Sequence, residues 1–240
     1  MTIRRRPLVH DGPGGAFEGV FAWDDALAGA RPAVLVIPNV LGQKEADNRK
    51  AEELAALGYA AFACDLFGQG RRTTRGPGAS LYMDELDADR GLLRERLRAT
   101  LDAFATQAEV DEARMAAIGF CFGGKCVLDM ARAGMAIRGG VSLHGVYDRP
   151  VGQSVAPIAA ALLICHGWDD PLGPPNALVA LGRELTEAGA DWQVHAYARA
   201  GHGFTDRSLT NAAPGFGYNA PADRRSDVAT HLFLQEVLGK

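Results

Sequence analysis

A mostly parallel, twisted β-sheet with helices on both faces is the fold class that this 240-residue sequence predicts. Three observations predict it. Apolar runs alternate with amphipathic stretches along nearly the whole chain, as they do where strands and helices follow one another. One strand-turn-helix signature, Gly119-Phe-Cys-Phe-Gly-Gly124, punctuates that alternation. Polar residues able to do chemistry stand directly after the apolar runs, where open α/β sheets carry their sites.

The elements follow in order. Residues 1–32 read as an antiparallel lead-in, with Gly12, Gly14 and Gly15 marking a turn between extended runs. Residues 33–37 are a continuous apolar run, as expected of a strand covered on both faces, and Pro38 ends it. Residues 45–57 read as a helix, with apolar positions at Ala51, Leu54, Ala55 and Leu57 and Gly58 closing it. Residues 59–64 are the next strand, and residues 66–80 a loop rich in Gly and Arg. Residues 84–107 read as one long helix, because Leu86, Leu93, Leu97, Leu101 and Phe104 share one stripe. Arg90, Arg94, Arg96 and Arg98 are expected on its solvated face. Residues 115–118 form the strand before the turn. Residues 140–143, 161–165 and 191–197 read as strands, and residues 176–188 and 222–238 as helices.

Composition bounds the function. Hydrophobic residues make up 48% and charged residues 22%, which is ordinary for a folded soluble chain of one domain spanning 1–240. A net charge of −4 gives no hint of a nucleic-acid partner. Arg4-Arg5-Arg6 is followed by Pro7 and by no apolar core, so a secretion leader is not expected. No apolar run approaches the roughly 18 residues of a membrane span. Cys64, Cys121, Cys126 and Cys165 form no C-x-x-C pair, which leaves a zinc or redox motif unsupported. Cys64 and Cys165 end apolar runs and read as buried core thiols. Reduced cysteines and a cytoplasmic location fit this usage.

Cys121 stands at the corner of the strand-turn-helix signature. Glycines two before and two after it let the turn tighten, since glycine has no Cβ to clash. The pattern is that of a nucleophile elbow with sulfur in place of oxygen. The turn would lift Sγ clear of the sheet and aim a helix N-terminus at it, which favours thiolate over thiol. After the run at 161–165 comes His166-Gly-Trp-Asp-Asp-Pro171, and after 191–197 comes Ala198-Arg-Ala-Gly-His-Gly-Phe204. Nucleophile, acid and base thus occur in the order that the α/β-hydrolase fold uses. His202, between two glycines, reads as the base, and Asp170 as the acid that orients it. Asp169 is expected to cap the turn or face water. Two backbone amides would form the oxyanion hole: Phe122, after the nucleophile, and Val40, in the loop after residues 33–37. Phe216 and Tyr218, in the long loop 208–221, and Trp168 are candidate pocket walls. His144 follows a strand and reads as a core histidine, with a place near the mouth of the site as the alternative.

The chain resembles the dienelactone hydrolase family of α/β-hydrolases. The matching pieces are Gly119-Phe-Cys-Phe-Gly-Gly124, Gly58-Tyr-Ala-Ala-Phe-Ala-Cys-Asp-Leu66, His166-Gly-Trp-Asp-Asp-Pro171 and His202-Gly-Phe204. The resemblance runs over roughly residues 33–238. It implies a Cys121–His202–Asp170 triad and hydrolysis of an ester or lactone through an acyl-thioester, with no metal or organic cofactor. The partner would be a small-molecule substrate, and the protein a monomer or small homo-oligomer. Two positions depart from the family pattern. A glutamate common two residues past the strand at 33–37 is Asn39 here, which cannot take a proton. An arginine four residues after the histidine is Asp206 here, with Arg207 beside it; Arg71, Arg72 and Arg75 could supply positive charge from another loop. Asn39, Trp168, Arg75, Phe204, Arg207 and Tyr218 are therefore the candidate substrate contacts. The departures leave two further readings open: a weakly active member that binds a small ligand or partner, and a thioesterase.

Overall fold

A computed structural model describes residues 2–210 and 212–239, so Met1, Asn211 and Lys240 lie outside the described residues. The chain divides into two compact units, Met1–Ala117 and Ile118–Lys240. In chain order the elements are β1 (Ile3–Gly12), β2 (Gly15–Asp24), β3 (Arg31–Ile37), α1 (Glu45–Ala56), β4 (Ala60–Ala63), α2 (Leu81–Ala88), α3 (Arg90–Ala105), β5 (Val110–Phe120), α4 (Phe122–Arg132), β6 (Gly139–Leu143), β7 (Ala161–Gly167), α5 (Pro175–Glu187), β8 (Trp192–Tyr197) and α6 (Ala220–Leu238). No helix among the described residues is long and apolar enough to cross a membrane.

In the first unit the expected lead-in is an antiparallel hairpin, β1 against β2, turning at Gly12–Gly15. Strand β2 then pairs antiparallel with β4, and β4 pairs parallel with β3. All seven residues of β3 are buried, which is why the run 33–37 is apolar without alternation. Helices cover both faces. Arg5 ion-pairs with Glu45 at 3.1 Å and Glu52 at 2.9 Å on α1. Its neighbour Arg6 lies over the Phe21 ring and reaches Gln107, just past α3, at 2.8 Å. Adjacent strand residues point to opposite faces, so α1 and α3 lie on opposite sides. On the α3 side Phe104 packs on Phe21 and Phe62, with ring centroids 5.8 and 5.5 Å away.

Two expectations for this unit are corrected. The single helix over 84–107 is two helices, α2 and α3, broken at Asp89. Asp89 has non-helical backbone, and its carboxylate accepts the Leu92 amide at 2.9 Å. A short acidic side chain that caps one helix in this way interrupts any helix running through it. Arg96 is not solvated: it is 4% exposed, over the Phe17 ring, and donates to the carbonyls of Pro13 at 3.0 Å and Leu66 at 2.9 Å. The apolar stem of arginine is long enough to bury while its planar head ties two loops.

In the second unit β6, β7 and β8 run parallel in that order. Every residue of β6 is buried. A β-carbon added to Gly139 would meet Val237 and Phe233 of α6, and one added to Gly140 would meet Val127 of α4. The two helices therefore cover opposite faces of β6. Strand β7 runs to Gly167, two residues past the apolar run, so His166 belongs to the strand rather than to the loop after it.

Candidate active site

Three features build the corner at Cys121. The strand β5 ends at Phe120 and α4 begins at Phe122, which leaves Cys121 as the only residue of the bend. Its backbone sits at φ 56° and ψ −112°, a strained setting for a residue with a side chain. Its amide donates to the Leu143 carbonyl at 3.0 Å, pinning the bend to the end of β6. The flanking glycines are required by close approach. A β-carbon on Gly124 would stand 2.7 Å from Ser142 Oγ and 2.8 Å from the Gly145 Cα. Cys121 is half-buried, whereas the other three free cysteines, Cys64, Cys126 and Cys165, are buried. Phe122 is the first residue of α4.

His202 and Asp170 meet in the same unit. Asp170 follows β7, is buried, and its Oδ1 accepts the amides of Leu172 at 2.8 Å and Gly173 at 3.3 Å. That leaves Oδ2 for His202 Nδ1, 2.8 Å away. Asp169 is exposed, with its amide bonded to the Ala200 carbonyl at 2.9 Å. Burial opposes charge on the His202 ring, but Asp170 and the Cys121 sulfur outweigh it and raise the pKa to about 10.

The backbone of His202 is clasped by the loop that follows it. Its amide donates to Gly215 at 2.7 Å, and its carbonyl accepts from Gly217 at 3.0 Å. A β-carbon on Gly201 would stand 2.1 Å from the Gly215 oxygen, so the clasp needs glycine there. The Phe216 ring then packs edge-on to His202, centroids 5.7 Å apart.

A second buried histidine stands against the first. The His144 and His202 rings are 5.4 Å apart and inclined at 70°. His144 Nε2 is hydrogen-bonded to Thr205 Oγ1 at 2.8 Å, and its backbone has φ 40°. Burial first, and then the charge on His202, hold its pKa well below the usual histidine value. The expectation of a core histidine holds for its burial, but its neighbour is the site itself. The sequence signal was weak, since only its place after a strand marked it. His166 pairs with the Tyr147 hydroxyl at 2.9 Å, and burial lowers its pKa.

The remaining candidates scatter. Trp168 is 49% exposed and edge-on to His166, centroids 6.1 Å apart. Phe204 is fully buried between His144 and Tyr197, with no face left for a substrate. Arg207 has an 82% exposed side chain 3.6 Å from Asp223, which also accepts the Tyr218 hydroxyl at 3.1 Å. Asp206 closes its own turn by accepting the Ser208 amide at 3.0 Å. In the first unit, Asn39 accepts the Leu41 amide at 3.1 Å and Lys44 Nζ at 3.3 Å, and so organises its own loop. The Val40 carbonyl accepts the Thr73 hydroxyl at 3.4 Å. Arg75 is exposed, while Arg71 pairs with Glu85 and Arg72 with Asp65. Among the described residues no group of three or more His, Cys, Asp and Glu could hold a metal ion.

The dienelactone hydrolase family matches residues 17–238. An uncharacterised protein of Caenorhabditis elegans is 34% identical over 150 residues, 61% of this chain and 95% of that protein. A Bradyrhizobium protein named "Probable 2-oxo-3-(5-oxofuran-2-ylidene)propanoate lactonase" is 28% identical over 74% of this chain and 75% of its own. The crystal structure of a dienelactone hydrolase-like promiscuous phosphotriesterase from metagenomic libraries is 34% identical and covers 99% of both chains, with a TM-score of 0.94. The mixed sheet with its helices is the α/β-hydrolase fold.

Proposed function

The chain belongs to the dienelactone hydrolase family and is a hydrolase of esters or lactones, and from that premise we propose that it works through a Cys121 acyl-enzyme. The observation that carries this reading is the buried 2.8 Å pair of Asp170 and His202, whose ring also feels the sulfur of Cys121 on its strained corner. The Cys121 thiolate attacks the carbonyl carbon, forming the C–S bond and moving the π-electron pair onto oxygen. The Phe122 amide at the start of α4 stabilises that oxyanion. As the C–O bond breaks, His202 passes its proton to the leaving alcohol oxygen, or to the ring-opened oxygen of a lactone. Water then attacks the thioester, His202 takes its proton, and thiolate and carboxylic acid separate. Asp170 keeps the ring oriented and supports its charge through both halves.

Residues 1–240 then act as one catalytic domain on a small-molecule substrate, with no cofactor. The four free cysteines suit a reducing compartment such as the cytoplasm. The test is a panel of cis- and trans-dienelactone beside simple aryl esters, run on the wild type and on Cys121→Ala. We expect turnover of at least one class and a loss of at least about a thousandfold in the variant. Unchanged turnover in a folded Cys121→Ala would reject the mechanism.

A second reading adds a promiscuous phosphotriester activity at the same site. Its support is the 34% identical structure named as a phosphotriesterase, together with the helix N-terminus facing the corner, a setting suited to phosphoryl oxygens. An aryl dialkyl phosphate in the same panel tests it: release of the phenol that depends on Cys121 is expected, and its absence would remove this reading.

A further inference from the structure

Four observations converge on His144. It is a non-glycine residue at φ 40°, a backbone setting held only where the surroundings over-determine it. Its amide is fixed to the Cys165 carbonyl at 2.8 Å, and its Nε2 to Thr205 Oγ1 at 2.8 Å. Its ring is walled by Phe204, edge-on at 5.0 Å, and by Phe120, tilted at 6.2 Å. What this immobilised ring presents to the site is a 5.4 Å, 70° contact with His202.

We propose that His144 is a positioning residue for the reaction: an imidazole whose π-system seats the His202 ring between Asp170 and Cys121. The inference rests on the acyl-enzyme reading above. In a T-shaped contact an imidazolium whose edge meets the face of a neutral ring is attracted to it, whereas a second charged imidazole in that place would repel it. The ionisable groups around His144 fit a neutral role. His202 lies in the loop after β8, and its charge holds the His144 proton affinity down, as burial already does. On β7, Cys165 has its thiol pushed up to about 12 by burial and carries no charge. Around His202 the groups are Asp170, Cys121 and His144 itself.

The consequence is specific. Removing the ring but not its bulk weakens the imidazolium and with it the thiolate. The pH midpoint for Cys121 alkylation then rises, and kcat falls with little change in KM. His144→Leu removes the ring and His144→Phe keeps one, and both meet the same backbone strain. The experiment follows iodoacetamide alkylation against pH in wild type, His144→Leu and His144→Phe, beside kcat and KM on p-nitrophenyl acetate. We expect the midpoint of the Leu variant to rise by about half to one and a half pH units and that of the Phe variant to stay near wild type. An unmoved Leu midpoint, or an equal rise in both variants, would overturn the inference. If the wild-type thiol itself alkylates only near the ordinary cysteine value of about 8.5, the acyl-enzyme reading fails first, and the two failures are distinct. NMR of the imidazole nitrogens in the wild type keeps the test open should a variant not fold. A neutral His144 beside a doubly protonated His202 near pH 7 is expected, and a charged His144 there would overturn the inference.

Discussion

Gly119 and Gly123 touch so closely that a β-carbon on Gly119 would stand 2.0 Å from the Gly123 carbonyl oxygen and 2.2 Å from its carbon. Both atoms are backbone, so no side chain can swing away to make room. The bend that raises Cys121 exists because position 119 has no side chain.

Gly119→Ala should therefore open the bend. We expect esterase activity to fall by at least about a hundredfold, since reacting groups displaced by about an ångström lose that much. The thermal midpoint should also drop. Circular dichroism melts and esterase rates measure both; a variant with wild-type rate would refute the steric argument.

Asp170→Asn keeps the size of the side chain and its bonds to the Leu172 and Gly173 amides, but removes the charge facing His202. The comparable change in a Ser-His-Asp enzyme lowers kcat by about ten thousandfold. With a softer nucleophile, a fall of about a hundred- to ten thousandfold in kcat is expected, at nearly constant KM. Steady-state kinetics on an aryl ester decide it. Asp169→Asn, at the exposed neighbour, should leave kcat within about twofold.

The raised pKa of His202 has a signed consequence for stability. Its folded value of about 10 lies above the ordinary 6.5. Stabilisation from the charged ring is thus fully present below about pH 6.5 and lost as the pH rises through about 10. The advantage of wild type over His202→Asn in urea unfolding should be smaller at about pH 10.5 than at about pH 7. A larger advantage at the higher pH would contradict the assignment.

Asp89→Ala removes the cap of α3. The expected loss is about 1 kcal/mol, within the usual range for N-cap removal. Urea titration reads it, with esterase activity unchanged. A neutral effect on stability would show that the helix break does not depend on this carboxylate.

Much of this molecule could be read from local pattern. The buried run of β3, the hairpin glycines and the order of the strands each depend on residues close in sequence. The corner at Cys121 was legible because its constraint is local, Gly119 against Gly123. The pairing of Asp170 with His202 was legible because each falls just past a strand. What escaped depends on distant partners. Arg96 is buried because Pro13 and Leu66 supply carbonyls to it. Asp89 falls inside the single helix expected over 84–107, and only its bond to the Leu92 amide marks the break. Phe204 read as a substrate contact, yet it faces His144 and Tyr197 in the core. His144 gave little signal, because neither its backbone angle nor its approach to His202 is written in neighbouring residues.

The two bonds joining His202 to Gly215 and Gly217 bear on how this scaffold could be re-engineered. Swapping the whole stretch 208–221 for that of a relative would shift His202, the proposed base, at the same moment as it changed the loop, so a dead chimera would say nothing about substrate choice. Grafts that stop short of Gly215 keep His202 where it was, and only those can report on specificity by themselves.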